Sequence, residues 1–451
     1  MFRWKWTTTS ARPFRQKSGD LFEMKQASDR TRIYCPACRV FHAARLVVAG
    51  NQVFWRVECP AGPRDVRISS DATLFAKFRD QERETPPWFR KKLSNCIVHI
   101  NDDCSLHCPI CFEDAGRTGW RMTLDEVRKA AAKIRATGAV NVMLMGGEPM
   151  DHPQVLEILR IFSGEFGFRC SALTNGVRIG REEGFAESLK TAGLTKASVS
   201  FDAFNRETTR ILRGDGSLVD VKLKAADRCF AAGLGVGFVT TATRLNLLEI
   251  PEIVRYCVAH VGFMPMLEIQ CYQAAGRIVE GLEGVDREEI VKTIVASGVV
   301  PGLTEDEFRV TPSVPAAGFC ISPDCGAGVL LRVRDGTPVP LTRKWGFDAL
   351  LDDMASMPRG PRNVKWLRFA FAAARRVGLW FPPALLRWVG RGRPGRNELL
   401  LVSISTLMTP DHLDCKRFGR CTNGVLTATG SFCSPCFYYG LRYDGDRRAR
   451  T

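Results

Sequence analysis

The chain has 451 residues, enough for two or three separate cores. Its 45% hydrophobic and 25% charged content is that of an ordinary globular protein. No apolar run of about 18 residues appears, which excludes a spanning helix as the organising element. The net charge of +16 points to an acidic partner: nucleic acid, anionic lipid or an acidic protein surface.

Met1-Phe-Arg-Trp-Lys-Trp-Thr is basic but lacks a continuous apolar stretch, so no signal peptide is expected. With 17 cysteines and no secretion signal, metal binding in a reducing compartment is favoured over disulfides. The expected location is the cytoplasm, with the inner face of a membrane for any peripheral contact. Residues 1–30 read as a flexible basic lead-in.

Residues 31–85 form the first module. Cys35-Pro-Ala-Cys38 faces Cys59-Pro-Ala-Gly62 across two predicted strands, 47–50 and 53–57. This is the spacing of a rubredoxin or zinc-ribbon knuckle, with zinc or iron on Cys35, Cys38 and Cys59. His42 is the available fourth ligand, although a lone histidine is more often a surface residue. A small structural β-module with unused thiols is the alternative.

Residues 90–275 alternate strand and helix. Predicted strands are 96–101, 141–145, 169–174, 196–201, 235–242 and 266–271. Predicted helices include 123–135, opened by Thr123 with Glu126 at the capping-box position, 154–162, 184–192, 219–232 and 249–261. Six βα repeats imply an α/β fold with a partial (β/α)6 TIM-type barrel and ligands at the C-terminal strand ends. After the first strand comes Cys104-Ser-Leu-His-Cys108-Pro-Ile-Cys111-Phe112. Three thiolates at C-x3-C-x2-C leave one iron of a [4Fe-4S] cluster open to chelate a small molecule. Half of a structural zinc site fits less well, because those sites usually show paired C-x2-C hooks. After the second strand comes Gly146-Gly147-Glu148-Pro149, where the missing Cβ atoms allow backbone to approach a ligand. Asn175, Ser200 and Asp202 also fall at strand ends and are candidates for ribose or substrate contacts. Turn chemistry alone would also place such residues there. Cys170, Cys229 and Cys257 sit in apolar elements and read as packing residues.

The cysteine loop with Gly146 to Pro149 resembles the radical S-adenosylmethionine superfamily. The resemblance implies that Cys104, Cys108 and Cys111 hold the cluster and that Gly146, Gly147, Glu148 and Pro149 seat the methionyl end of S-adenosylmethionine. It also implies cleavage of the C5′–S bond, hydrogen abstraction from an unactivated C–H, and an electron donor of flavodoxin or ferredoxin type.

Residues 276–451 lose the βα rhythm. Cys320, Cys325, Cys415, Cys421, Cys433 and Cys436 suffice for one four-ligand site with two spare. Zinc is one reading, and an auxiliary [4Fe-4S] cluster is favoured beside the first. A strand-turn-strand is predicted around Asp335-Gly336. Between Met354 and Asn397 there is no acidic residue against ten of arginine and lysine. Trp366, Trp380 and Trp388 are interleaved. Segment 359–396 therefore reads as an interfacial amphipathic stretch on anionic lipid. Ordinary surface helices are the alternative, and without a recognised motif no nucleic-acid partner is expected.

The order of parts is similar to the tetraether lipid synthase family and its methyltransferase-like relatives. That resemblance rests on Cys35-to-Cys59, Cys96, Cys104-to-Phe112, Asp324-Cys325, Lys416-to-Cys421 and Pro435-to-Tyr439. It implies a lipid alkyl chain as substrate and carbon–carbon bond formation or alkylation as outcome. Two departures stand out. Cys59-Pro-Ala-Gly62 lacks the family's histidine, and Gln81 to Lys92 lacks its cysteine-rich segment. A peptide-modifying radical enzyme and a non-catalytic iron–sulfur or zinc docking protein are the alternatives.

Overall fold

The computed structural model describes residues 30–81, 93, 95–310, 324–341, 398–409, 413–421, 423–427 and 430–442. Most of the lead-in, Cys320 and the basic segment 359–396 lie outside these residues.

The first element is a four-stranded antiparallel sheet in sequential order: β1 (Arg30–Cys35), β2 (Val40–Ala49), β3 (Gln52–Val57) and β4 (Arg64–Ser69). Alternation produces it. In β3, Val53, Trp55 and Val57 point inward and Gln52, Phe54 and Arg56 are less buried. Those inward residues pack with Ile33, Leu46 and Phe75, the last from helix α1 (Ala72–Asp80). The strands predicted from sequence in this module do not include β1 and β4, whose short runs mix charged and apolar residues.

The second sheet has twelve strands. Its parallel centre begins with β5 (Asn95–His99), β6 (Asn141–Met145), β7 (Arg169–Thr174), β8 (Leu194–Ser200), β9 (Gly235–Ala242) and β10 (Met266–Cys271). Helices α2 (Leu124–Thr137), α3 (Val155–Arg160), α4 (Val177–Arg181), α5 (Phe185–Thr191), α6 (Arg206–Arg213), α7 (Leu218–Ala232) and α8 (Ile250–Ala259) fill the crossovers, and α9 (Arg287–Ala296) follows β10. All six predicted βα strands are present. The outward side chains of these strands, such as Cys96, Val142, Leu144, Cys170, Phe238 and Ile269, build one continuous core with the helices. Cys229 and Cys257 are fully buried in that core, as packing thiols.

The parallel run is longer than the predicted six. After β11 (Arg309–Val310) and the hairpin of β12 (Gly326–Arg334) and β13 (Thr337–Pro340), strand β14 (Leu399–Ser405) joins β10 in parallel. At the other edge β15 (Asn423–Leu426) joins β5 in parallel and pairs with β16 (Phe432–Cys433). The barrel is partial: antiparallel strands end both edges. Short helices α10 (Cys415–Arg420) and α11 (Pro435–Arg442) flank β15 and β16. Among the described residues no helix is long and apolar enough to cross a membrane.

Helix α2 shows how locally this architecture is specified. Thr123 accepts from Glu126 N–H, the Glu126 side chain returns to Thr123 N–H, and Gly138 closes the helix with φ +79°. Thr123→Ala is expected to cost about 1 kcal/mol in chemical denaturation. An unchanged midpoint would show that packing alone sets this terminus.

Candidate active site

The cysteine loop leaves the C-terminal end of β5 and crosses the barrel mouth. It is held by backbone contacts as well as by side chains. A Cβ on Gly146 would overlap the Asn101 carbonyl, and one on Gly147 would overlap those of Asp102 and Asp103. These two glycines were expected to let backbone approach a ligand; what approaches them in the structure is the cysteine loop itself. Hydrogen bonds lock the seam: Gly147 N–H donates to Asn101 O at 2.9 Å and Glu148 N–H to Asp103 O at 2.6 Å. From the far side Cys111 pairs with Arg277 through Arg277 N–H to Cys111 O at 2.9 Å. A Cβ on Gly276 would overlap Cys111 O in turn.

Cys108 is buried and Cys104 and Cys111 are half-buried, all three as free thiols. Burial pushes the Cys104 thiol up to about 12. Burial also raises Cys111, opposed by the Ala115 backbone and by the nearby Arg277 guanidinium. Cluster ligands must be thiolates, so loading this loop releases protons.

Two arginines missed in the sequence face the loop. Arg277 Nε donates to Cys108 O at 3.0 Å and Nη1 to Ala115 O at 2.8 Å, while Nη2 is buried with no hydrogen-bond partner. Arg213 forks onto Asp202 at 2.6 and 3.0 Å and lies within electrostatic reach of Cys108 and Cys111. Burial works against its charge, but Asp202 outweighs burial and holds the guanidinium above its ordinary value. Burial likewise opposes the Asp202 carboxylate, and Arg213 more than offsets it. Three free thiols on one loop, two half-buried cations and an orphaned N–H donor match the needs of an anionic iron–sulfur cluster. The only sequence hint of Arg277 was its place just beyond a predicted strand end.

The other predicted residues also gather at the mouth. Asn175 Nδ2 reaches Cys104 Sγ at 3.8 Å and Ser105 Oγ at 3.4 Å. Ser200 Oγ accepts from buried Lys222 Nζ at 2.8 Å; burial, then Arg213, lowers that amine to about 8. Glu148 is buried and turned toward β7: Thr174 Oγ1 donates to it at 2.6 Å and Asn175 N–H at 2.5 Å. Pro149 is buried at the start of a 3-10 turn. Deeper in the barrel, burial raises Glu268 to about 7, with Ser405, Ser403 and Lys196 as its polar neighbours.

The C-terminal segment closes one side of the mouth. Tyr439 of α11 pairs its hydroxyl with His99 Nε2 at 3.0 Å and packs its ring 4.5 Å from that of Phe112. Of the predicted outer cysteines, Cys325 and Cys436 are neighbours on either side of Arg417, which donates to Cys325 Sγ at 3.2 Å. Cys415 opens α10, Cys421 follows it and donates to Asn423 O, and Cys433 lies in β16. In the N-terminal module Cys59 Sγ lies 3.7 Å from Cys35 Sγ and 3.2 Å from Cys38 Sγ.

Residues 98–257, from β5 to α8, match the family model described as the Radical SAM superfamily. The chain is 25% identical over 279 residues to a 7,8-dihydro-6-hydroxymethylpterin dimethyltransferase of Methanocaldococcus jannaschii, covering 56% of this chain and 54% of that protein. It is 28% identical over 253 residues to a GTP 3′,8-cyclase of Marinobacter nauticus, covering 52% of this chain and 73% of that one. The chain thus spans about half the length of the first of these relatives. Streptococcus suis SuiB bound to precursor peptide SuiA overlaps 45% of this chain and 43% of its own, at 17% identity and a TM-score of 0.37.

Two outcomes are expected of this geometry. In Arg277→Gln, removal of a half-buried cation beside the loop should lower the midpoint potential of a reconstituted cluster by on the order of tens of millivolts, read by EPR-monitored titration. An unmoved potential would leave Arg277 a purely mechanical clamp. For Glu148, burial raises the folded carboxyl to about 7, above its ordinary value of 4.5. The native state therefore holds a proton that the unfolded state has lost, and stability falls as pH rises from about 4.5 to 7. Glu148→Gln should flatten that slope in denaturation series, and an identical slope would place the titration elsewhere.

Proposed function

We propose that this chain, a member of the radical SAM superfamily, reductively cleaves S-adenosylmethionine and takes a hydrogen atom from an unactivated C–H bond. The observation that carries the reading is the three-thiol loop, seated backbone to backbone on Gly146-Gly147 with the orphaned Arg277 nitrogen beside it. A [4Fe-4S] cluster on Cys104, Cys108 and Cys111 would supply the electron that breaks the C5′–S bond, giving methionine and the hydrogen-abstracting 5′-deoxyadenosyl radical.

The chain's own residues do the positioning. Strand ends fix the cysteine loop, and Gly146 to Pro149 line the side assigned to the methionyl group. Asn175 reaches toward Cys104, while Ser200 and Asp202 are held at the mouth by Lys222 and Arg213. Tyr439 and Phe112 screen one side from water. An external one-electron donor of flavodoxin or ferredoxin type is required.

The hydrogen donor we propose is a lipid alkyl chain, with carbon–carbon coupling or alkylation as the outcome. The basic, tryptophan-bearing composition of 359–396 and the order of cysteine motifs support it. A second reading, a polar substrate such as a peptide or heterocycle, is favoured by Glu268, Ser403, Ser405 and Lys196 deep in the barrel. The names of the pterin and GTP relatives lean the same way.

Anaerobically reconstituted protein should form 5′-deoxyadenosine on reduction with S-adenosylmethionine, and Cys108→Ala should abolish it. No nucleoside from an iron-loaded chain would sink the reaction class. Vesicles with perdeuterated acyl chains should then pass deuterium into the 5′-deoxyadenosine. Undeuterated product would remove the lipid and leave the polar reading.

A further inference from the structure

We propose that Cys35, Cys38, His42 and Cys59 hold one structural zinc ion. The four ligand atoms lie within 4.8 Å of one another, on three separate pieces of backbone. Cys35 ends β1 and Cys38 sits in the following turn. That turn closes through Arg39 N–H to Cys35 O at 2.7 Å, with Arg39 in the left-handed region at φ +58°. Cys59 follows β3 in a second tight turn, where Gly62 N–H returns to Cys59 O at 3.0 Å. This is the pair of opposed turns from which thiolate sites are built.

His42 completes the set through strand register. The β1–β2 ladder pairs Ile33 with His42 and Cys35 with Val40. Period-two alternation therefore puts His42 on the same face as Cys35. Its Nε2 is buried and has no hydrogen-bond partner. A buried, unpaired imidazole nitrogen costs free energy unless something binds it, and three thiols surround it. Tetrahedral zinc with Zn–S of about 2.3 Å spaces thiolates about 3.8 Å apart. The 3.7 and 3.2 Å sulfur separations need little adjustment to meet this. Three thiolates and one imidazole with no open position form a closed structural set, and imidazole in place of a fourth thiolate favours zinc over iron. The histidine absent after Cys59 is thus replaced from the neighbouring strand.

The site braces more than its own turns. β1 also bridges to the C-terminal segment, through Tyr34 N–H to Leu413 O at 3.1 Å and Thr31 Oγ1 to Asp414 at 2.5 Å. Phe41, next to His42, packs its ring 6.3 Å from that of Phe418 in α10. Zinc would hold in place the sheet edge on which this cysteine-bearing segment docks.

The test uses the full chain with Cys104, Cys108 and Cys111 all changed to alanine, so that the radical cluster cannot contribute and failure of the radical reading leaves the result intact. Elemental analysis of protein grown with both metals should find one zinc per chain. Cobalt exchange should give the thiolate charge-transfer and intense visible bands of a tetrahedral site. His42→Ala should weaken zinc binding by about a hundredfold or more, since loss of a direct ligand should exceed the 10–100-fold typical of an outer-shell partner. His42→Cys should keep one zinc with a stronger thiolate–cobalt band, which guards against a folding failure in the alanine variant. Iron in place of zinc, or no metal, overturns the assignment. Unchanged affinity and cobalt spectrum in His42→Ala would remove the histidine from it.

Discussion

The structure depends on one close contact: backbone of the cysteine loop laid directly on backbone at the ends of β6 and β10. Where two chains touch without intervening side chains, neither can move independently of the sheet behind it. Asn101, buried between them, donates from Nδ2 to Glu148 O at 2.9 Å and so joins the loop to the strand it rests on. The loop that carries the thiols is thereby fixed to the barrel by its backbone, and a fixed loop lowers the ordering cost of assembling a ligand set. The same contact explains why Glu148 is buried. Its carboxylate gathers N–H and O–H donors from β7 and the 3-10 turn, tying the next strand end into the seam.

Charge beneath the loop follows from this rigidity. Asp202 and Lys222 are buried and Arg213 is half-buried, with Ser198 and Thr241 on the strands beside them. Buried ion pairs return little net stability once desolvation is counted. Here they leave a cation within reach of Cys108 and Cys111, a setting that suits an anionic group. Asp202 neutralises part of Arg213 and fixes its orientation, leaving the guanidinium within electrostatic reach of Cys108 and Cys111.

The barrel was legible because its strands are short apolar runs bounded by turn residues, and 141–145, 169–174, 235–242 and 266–271 match the observed limits. β14 is just as apolar but lies beyond residue 275, where the predicted βα repeat ends, so the repeat offered no reason to place it beside β10. The cysteine loop and Gly146-Gly147 were legible as residue types, whereas the contact those glycines make depends on a neighbouring loop and could not be. Arg213 and Arg277 act through tertiary placement, and Tyr439 stood within a recognised motif but meets Phe112 only through the fold. His42 is intermediate: visible as a histidine near two cysteines, but placed on their face only by the pairing of Ile33 with His42.

Both ends of the described chain converge on the barrel mouth. From the knuckle, rings follow one another at contact distance: Tyr34 to Phe41 at 5.3 Å, Phe41 to Phe418 at 6.3 Å, and Phe418 to Phe437 at 5.2 Å. Phe437 shares α11 with Tyr439, whose ring meets Phe112 directly after Cys111. This path of packed side chains ties the N-terminal sheet to the cysteine loop through the C-terminal helix. Cys436 packs against the same cluster, beside Tyr34, Met408 and Leu413, so that the C-terminal helix is joined to the N-terminal sheet by more than its rings.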